Sequence, residues 1–407
     1  MTAVSNVVVI GAGAAGLCAA CALETITEVD VVTDRRLGSS NSVMAQGGLH
    51  VPMASGRSME LMKTDMCISG RGRANEELVD YFVPAIRPAI QHLESWGLGL
   101  AKDENGEWIR RKAGGMTEPR IVGTGDSIGP ALMKVLTNRV RSSERIRIRE
   151  NNPVHGVEIT DAGNFELLGE SGSLGRWKSL IVATGGSAYE FALRHQFLTS
   201  NPSNSNNSIT TSLKSLGLAT IDEDLYQWHP FGIVATARDG RPTKAVPETV
   251  VEYGLRLLDR NWDEVAPIDA GREILTQRSF AAREASLTSR DDAGRHGLWL
   301  TTSDLSRAEI ERSFPSLLRA LRSIGSLDSE GRIHDTLVWP VLHYQLGGFE
   351  RKIDCSTEVP GLFLAGEIAG GLHGTNRLMG NGLTESVVTG FQAAESAAAY
   401  IQAAKAL

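Results

Sequence analysis

Glu367, His373, Asn376 and Arg377 share one short segment, GLFLAGEIAGGLHGTNRLMGNGLTES, residues 361–386. An acid, an imidazole, an amide and a guanidinium so close together can hold and orient an anion. The surrounding residues say how they are presented. Leu362, Phe363 and Leu364 read as a strand, Glu367 closes its end, and a glycine-rich turn leads to a helix expected to begin near Leu383. A strand end facing a helix N-terminus offers unpaired N–H groups and a positive dipole, where α/β sheets bind anionic cofactors.

A matching cradle opens the chain. Val7, Val8, Val9 and Ile10 form a β-branched run, Gly11-Ala12-Gly13-Ala14-Ala15-Gly16 follows, and the alanine-rich stretch Leu17 to Leu23 reads as helix. This is G-x-G-x-x-G in its strand–turn–helix context, and it predicts dinucleotide binding. Gly11 allows the turn, Gly13 lets the main chain approach a pyrophosphate, and Gly16 lets helix pack on strand. The next strand, Val29 to Thr33, ends at Asp34, which suits either a ribose hydroxyl or a solvated turn. A third strand–glycine junction follows Ser179 to Ala183, at Thr184-Gly185-Gly186.

Cys18 and Cys21 make a C-x-x-C on the first helix. Small apolar residues pack against the sheet there, so the two read as core rather than as a redox pair. Elsewhere no spacing suggests a metal site. Four cysteines in 407 residues make no disulfide framework. The length allows one large or two modest domains. With 22% charged residues, 42% hydrophobic residues and a net charge of −7, the composition is that of a soluble globular protein and suggests neither a nucleic-acid nor a membrane surface. No apolar run approaches the roughly 20 residues of a membrane span. No basic leader precedes the first strand, so a cytoplasmic location is expected.

The texture changes along the chain. Residues 227–344 contain helical stretches at Glu248–Asp259, Arg272–Glu284 and Arg307–Ile324, without a phosphate-type glycine turn. Gly347-Gly348 and the strand at Leu362 return to the first texture. The expected fold is therefore α/β: a Rossmann-like cofactor-binding domain of residues 1–226 and 345–407, split by an inserted α+β capping domain of residues 227–344. His229 and His343 fall at the two crossings, where ligand pockets are common. The polar run Thr199 to Ser208 reads as a surface or cofactor-edge loop.

Several separated elements now carry a resemblance over nearly the whole chain. They are Gly11–Gly16, Ala45-Gln46-Gly47-Gly48, Ala183-Thr184-Gly185-Gly186, Gln227-Trp228-His229-Pro230, Arg272-Glu273, His343-Tyr344 with Gly347-Gly348, and residues 361–385. In this order they resemble the flavoprotein family of succinate dehydrogenase, fumarate reductase and L-aspartate oxidase, the last most of all. The resemblance implies FAD rather than NAD. Besides the glycine turn with Ala14 and Ala15, it puts Thr33, Asp34, Asn41, Ser42, Ala45, Gln46, Gly47 and Gly48 at the cofactor. Val154, Ala183, Thr184, Gly185, Asn207, Glu367, Asn381, Gly382 and Leu383 complete that set. Asn41 stands where membrane-bound relatives carry the histidine that attaches FAD. An amide cannot replace that nucleophile, so non-covalent FAD is expected.

The resemblance also implies a reacting site. His229, His343 and Arg377 match carboxylate-holding positions, with Gln227 and Gly380 beside the substrate. Arg272 matches a proton-transfer arginine, and Glu248 its relay carboxylate. The implied activity is oxidation of an acidic amino acid or dicarboxylate by hydride transfer to flavin, giving an imine from an amino acid and hydrogen peroxide when O2 accepts the electrons; another acceptor is the alternative. A fumarate reductase-like ene-reductase and a non-catalytic flavin-binding subunit are the other readings. The remaining histidines, His50, His92, His155, His195, His296 and His334, read as core or surface residues, with His373 intermediate. Departures fall mainly around the substrate. Pro247 replaces a threonine, Val251 the relay's outer arginine, Gly380 a serine and Ala113 a glutamate. Asn206-Asn207-Ser208 replaces Gly-Asp-Gly, and the C-terminal helical domain of longer members is not expected. A shifted acidic substrate follows from these edits.

Overall fold

The computed structural model describes residues 4–125, 127–203, 206–237 and 242–406. Its first sheet has seven strands. Val4–Ile10 lies between Val29–Val32 and Gly172–Val182, parallel to both, and Ile146–Arg149 extends the parallel set. Gly172–Val182 is eleven residues long and has a further partner at each end. Its early residues pair antiparallel with Phe165–Gly169, and its last three pair parallel with Leu362–Leu364. The chain thus returns to its first sheet after leaving it for well over a hundred residues.

Val7 and Val9 face one core and Val8 and Ile10 another, as the two-residue strand period requires. Both faces are covered, so the run is apolar throughout. On the first face the helix Ala14–Leu23 is buried almost entirely, beside the long C-terminal helix Asn381–Ala406. Cys18 and Cys21 belong to this packing, and burial raises both thiols, Cys21 to about 12. Thiols held protonated are poor nucleophiles, which agrees with a core role.

The second sheet has six strands drawn from residues 226–345, all antiparallel. Tyr226–Ile233 pairs with Thr336–Gln345, and His296–Leu300 and Leu257–Leu258 follow. Helices Arg272–Glu284 and Pro315–Ser323 pack on it. The first of these matches the sequence reading. The other two expected helices need correction. Glu248–Tyr253 is only a 3-10 turn, closed by Gly254 at φ +72°, and a strand follows. The stretch from Arg307 divides into Arg307–Ser313 and Pro315–Ser323, because Pro315 starts a new helix. The polar run from Thr199 also differs from the surface alternative. Thr199, Ser200 and Asn201 are buried and bonded to the strand Thr336–Gln345 through Leu342 and His343.

Candidate active site

A cavity of about 490 Å³ lies between the first sheet's C-terminal edge and the second sheet. That is ordinary for a small-molecule site. Its cofactor-side wall is built as the motif requires. Gly11 has φ +109°, and a Cβ there would meet Ala183 O at 2.3 Å. A Cβ on Gly16 would lie 2.0 Å from Gly11 O. Gly16 therefore packs the turn and does not itself line the cavity. Gly13 caps the helix without a side-chain hydrogen bond, and Ala14 N–H bonds Ser42 Oγ at 3.0 Å.

Thr33, Asp34, Asn41, Ala45, Gln46, Gly47, Gly48, Val154, Ala183, Thr184, Gly185, Glu367, Gly382 and Leu383 all line the cavity. Asn381 does not. Its Oδ1 lies 2.8 Å from His50 Nδ1, and Arg120 Nε–H donates to His50 Nε2, which leaves the imidazole proton on Nδ1. The Asn381 carbonyl oxygen is thus committed to a buried network, while its Nδ2 is buried without a protein partner. The side chain of Asn207 lies outside the described residues.

The residues at the cavity suit FAD. Thr184 Oγ1 and Ser40 Oγ are buried without a protein partner, although buried hydroxyls ordinarily have one. A ligand rich in hydroxyl and phosphate groups supplies such partners. Glu367 accepts from Gln345 N–H at 2.9 Å, and burial pushes its carboxyl up to about 7.

The opposite wall gathers residues far apart in sequence. His229 lies on Tyr226–Ile233 and His343 on Thr336–Gln345, with ring centroids 5.4 Å apart. The register explains their approach. Gln227 pairs with Tyr344 but Trp228 pairs with Leu342, so His343 is the extra residue of a bulge. Bulges re-aim side chains in this way. Ser200 Oγ lies 2.7 Å from His343 Nδ1. His229 Nδ1 accepts from Phe231 N–H at 3.2 Å, so in the neutral ring Nε2 carries the proton.

Arg272 is the first residue of its helix, just after Gly271 at φ +90°. Its Nε donates to Glu248 Oε1 at 2.5 Å and its Nη1 to Gln227 Oε1 at 2.8 Å. Gln227 does not line the cavity. It stands behind, and its Nε2 reaches Asn376 Oδ1 at 2.6 Å and Arg377 O at 3.0 Å. Arg377 is buried with its guanidinium 4.4 Å above the Tyr344 ring. Its Nε has no partner, and among the described residues it makes no ion pair with a carboxylate.

Charge follows from burial. Burial lowers His229 to about 4 and His343 well below the usual imidazole value, and nearby arginines act in the same direction. Burial lowers Arg377 to about 10, with Arg272 contributing. Burial works to raise Glu248, but Arg272 and His229 outweigh it and keep the carboxyl below its ordinary value. Two neutral imidazoles and two arginines therefore share this wall of the cavity with one carboxylate, Glu248, an arrangement that attracts an anion.

His373 is not part of this wall. It is buried 2.9 Å from Glu385 Oε2, which also accepts from Tyr344 Oη at 2.7 Å. Tyr344 and Ser200 line the cavity but are not among the site residues read from sequence, and Glu385 holds the Tyr344 hydroxyl from behind. Tyr344 was signalled only by its adjacency to His343, and Ser200 lay hidden in a polar run.

The family model described as an FAD binding domain matches residues 6–383. The chain belongs to that family. FAD is its cofactor, and the protein is an FAD-dependent oxidoreductase of the succinate dehydrogenase, fumarate reductase and L-aspartate oxidase group. L-aspartate oxidase of Synechocystis is 28% identical over 94% of this chain and 69% of its own length. The Bacillus subtilis L-aspartate oxidase is 29% identical, over 96% and 71%. In structure, FrdA of the E. coli quinol fumarate reductase matches with a TM-score of 0.86 at 22% identity, covering 99% of this chain and 71% of that one. At that identity the likeness is one of fold. Mycobacterium smegmatis Sdh1 matches with a TM-score of 0.81 at 26% identity, over 98% and 69%. Among the described residues no helix is long and apolar enough to cross a membrane.

Proposed function

We propose that this flavoprotein oxidises a small acidic amino acid or dicarboxylate, in the manner of an L-aspartate oxidase. The observation that carries the reading is Arg377: a buried guanidinium without a carboxylate partner, on the same cavity as His229, His343 and Arg272. Residues 227–344 act as the cap, and residues 1–226 with 345–407 form the FAD-binding domain. FAD is held non-covalently, since Asn41 offers only an amide, and that amide donates to Asn201 Oδ1 at 2.6 Å. When bound, the flavin supplies the hydride acceptor.

The chain's own residues position the substrate. Arg377 takes one carboxylate through its planar fork. His229 and His343, both neutral, donate N–H to further carboxylate oxygens. Fixing the acid at both ends would hold one C–H bond toward the cofactor. Arg272, steered by Glu248 and Gln227, is the proton-transfer residue. An amino acid loses a hydride from carbon and a proton from nitrogen, leaving an imine, and O2 taking up two electrons and two protons becomes hydrogen peroxide. Ene-reduction would need protons delivered inward past Glu248. The side chain of Val251, three residues on, packs against the apolar core of the second sheet and cannot relay them.

Arg272→Ala tests the assignment. FAD content and acid binding should persist while turnover falls by about a hundredfold or more, as loss of a proton-transfer group does. Undiminished turnover would sink the role.

A further inference from the structure

Three cations on the cavity wall stand outside the carboxylate cluster; Arg35 is held by Asp34 and Ser203, which leaves Lys244 and Arg319. Arg319 lies on the helix Pro315–Ser323. Ser316, Arg319 and Ala320 form the face of that helix that lines the cavity, at the i, i+3, i+4 spacing of a single face. Leu317 and Leu321 turn instead into the core. Lys244 lines the same cavity from a neighbouring segment. That segment is fixed by Ile233 N–H bonding Lys244 O and Val246 N–H bonding Phe231 O. Both side chains are exposed. Among the described residues neither makes an ion pair, whereas Arg272 and Arg35 on the same cavity each have a carboxylate.

The inner cluster has donors for one dianion. Lys244 and Arg319 would leave two further positive charges on the same cavity when that dianion is bound. The cofactor's pyrophosphate does not require them, because the glycine turn Gly11 to Ala15 and the helix N-terminus that follows line the cavity and suit it. Pro247 also lines the cavity, and its ring offers no hydroxyl to the inner site.

We infer that Lys244 and Arg319 form a second anion site, and that the substrate is a polyacid with a third anionic group beyond the two held by His229, His343 and Arg377. This rests on the proposed function and narrows its substrate class. Salt should weaken such an exposed site more than the buried one.

The test is a binding titration on the FAD-loaded protein, read by perturbation of the flavin spectrum. Probes are succinate, tricarballylate and its one-carbon-longer homologue. The proteins are the unaltered chain and the double variant Lys244→Gln, Arg319→Gln. Both residues are exposed, so the fold should tolerate the changes. The inference expects one tricarboxylate to bind the unaltered protein more tightly than succinate. The double variant should lose about tenfold in that affinity, the scale of a charge-assisted contact, with succinate changing far less. Equal affinity changes for all three acids, or none, would overturn it. Loss of FAD from the variant would also overturn it, by assigning the two cations to the cofactor. If neither these acids nor L-aspartate perturbs the unaltered flavin, the proposed function itself fails and takes this inference with it.

Discussion

A guanidinium taken out of water without a carboxylate is costly, and Arg377 is such a group. The face of Tyr344 compensates part of that cost, and Glu385 fixes the tyrosine hydroxyl beneath it. An anionic ligand would complete the balance. Arg377→Lys keeps the charge but loses the fork and its stacking. We expect the Michaelis constant for the acidic substrate to rise by about tenfold or more while FAD stays bound, checked by steady-state kinetics and the flavin-to-protein ratio. An unchanged Michaelis constant would remove Arg377 from the clamp. His229, lowered to about 4 by burial, and His343, lowered well below its usual value by burial, are neutral throughout the neutral range and donate as uncharged groups. Between about pH 6 and 8, acid binding should therefore show no step from imidazole titration, a result that the flavin titration can read directly.

At the scale of elements, glycines and one bulge decide what faces the cavity. Gly380 lines it with φ +81°, and a Cβ there would meet His50 N at 2.8 Å and Ile121 Cδ1 at 3.0 Å. A serine does not fit this turn as built. Gly380→Ser should cost about 1–3 kcal/mol of stability and should not raise activity on L-aspartate, by thermal unfolding and oxidase assay. A stable, more active variant would contradict that. The same elements show why some positions were legible in sequence and others were not. Gly11–Gly16 could be read because its turn geometry is local, and the helix Arg272–Glu284 kept its expected bounds. The bulge at His343 could not be read, since a register jump depends on the partner strand. Glu248–Asp259 looked helical until Gly254 and a strand pairing ended it. The run from Thr199 reads as a surface or cofactor-edge loop because it is polar; tertiary hydrogen bonds satisfy Thr199 to Asn201 inside, and Ser200 and Asn201 line the cavity. Gln227 sits near the chemistry but directs its amide at Arg272, Asn376 and Arg377.

For the whole molecule, burial of titratable groups sets a pH response. Burial lowers His229 to about 4 and His50 to about 3, and His343 also falls. Below the ordinary imidazole value of about 6.5, the unfolded chain takes up protons that these folded rings refuse. Stability therefore falls as pH drops from about 6.5 toward 4. Glu367, raised from 4.5 to about 7, works oppositely over that window, because its folded form holds the proton. Three imidazoles outweigh one carboxyl, and the depressed Glu248 and Glu385 add to the loss below 4.5. The thermal midpoint of the FAD-loaded protein should be lower at pH 4.5 than at pH 7, and a higher midpoint in acid would contradict this balance. The most direct test of the central claim joins both layers of the fold. The yellow protein is mixed without oxygen with L-aspartate, then with succinate, glutarate and tricarballylate, and its visible flavin absorbance is followed. The account predicts rapid bleaching by at least one of these acids, and slow bleaching by the same acid in Arg272→Ala. Flavin that remains yellow with every acid, yet bleaches under photoreduction, would contradict it.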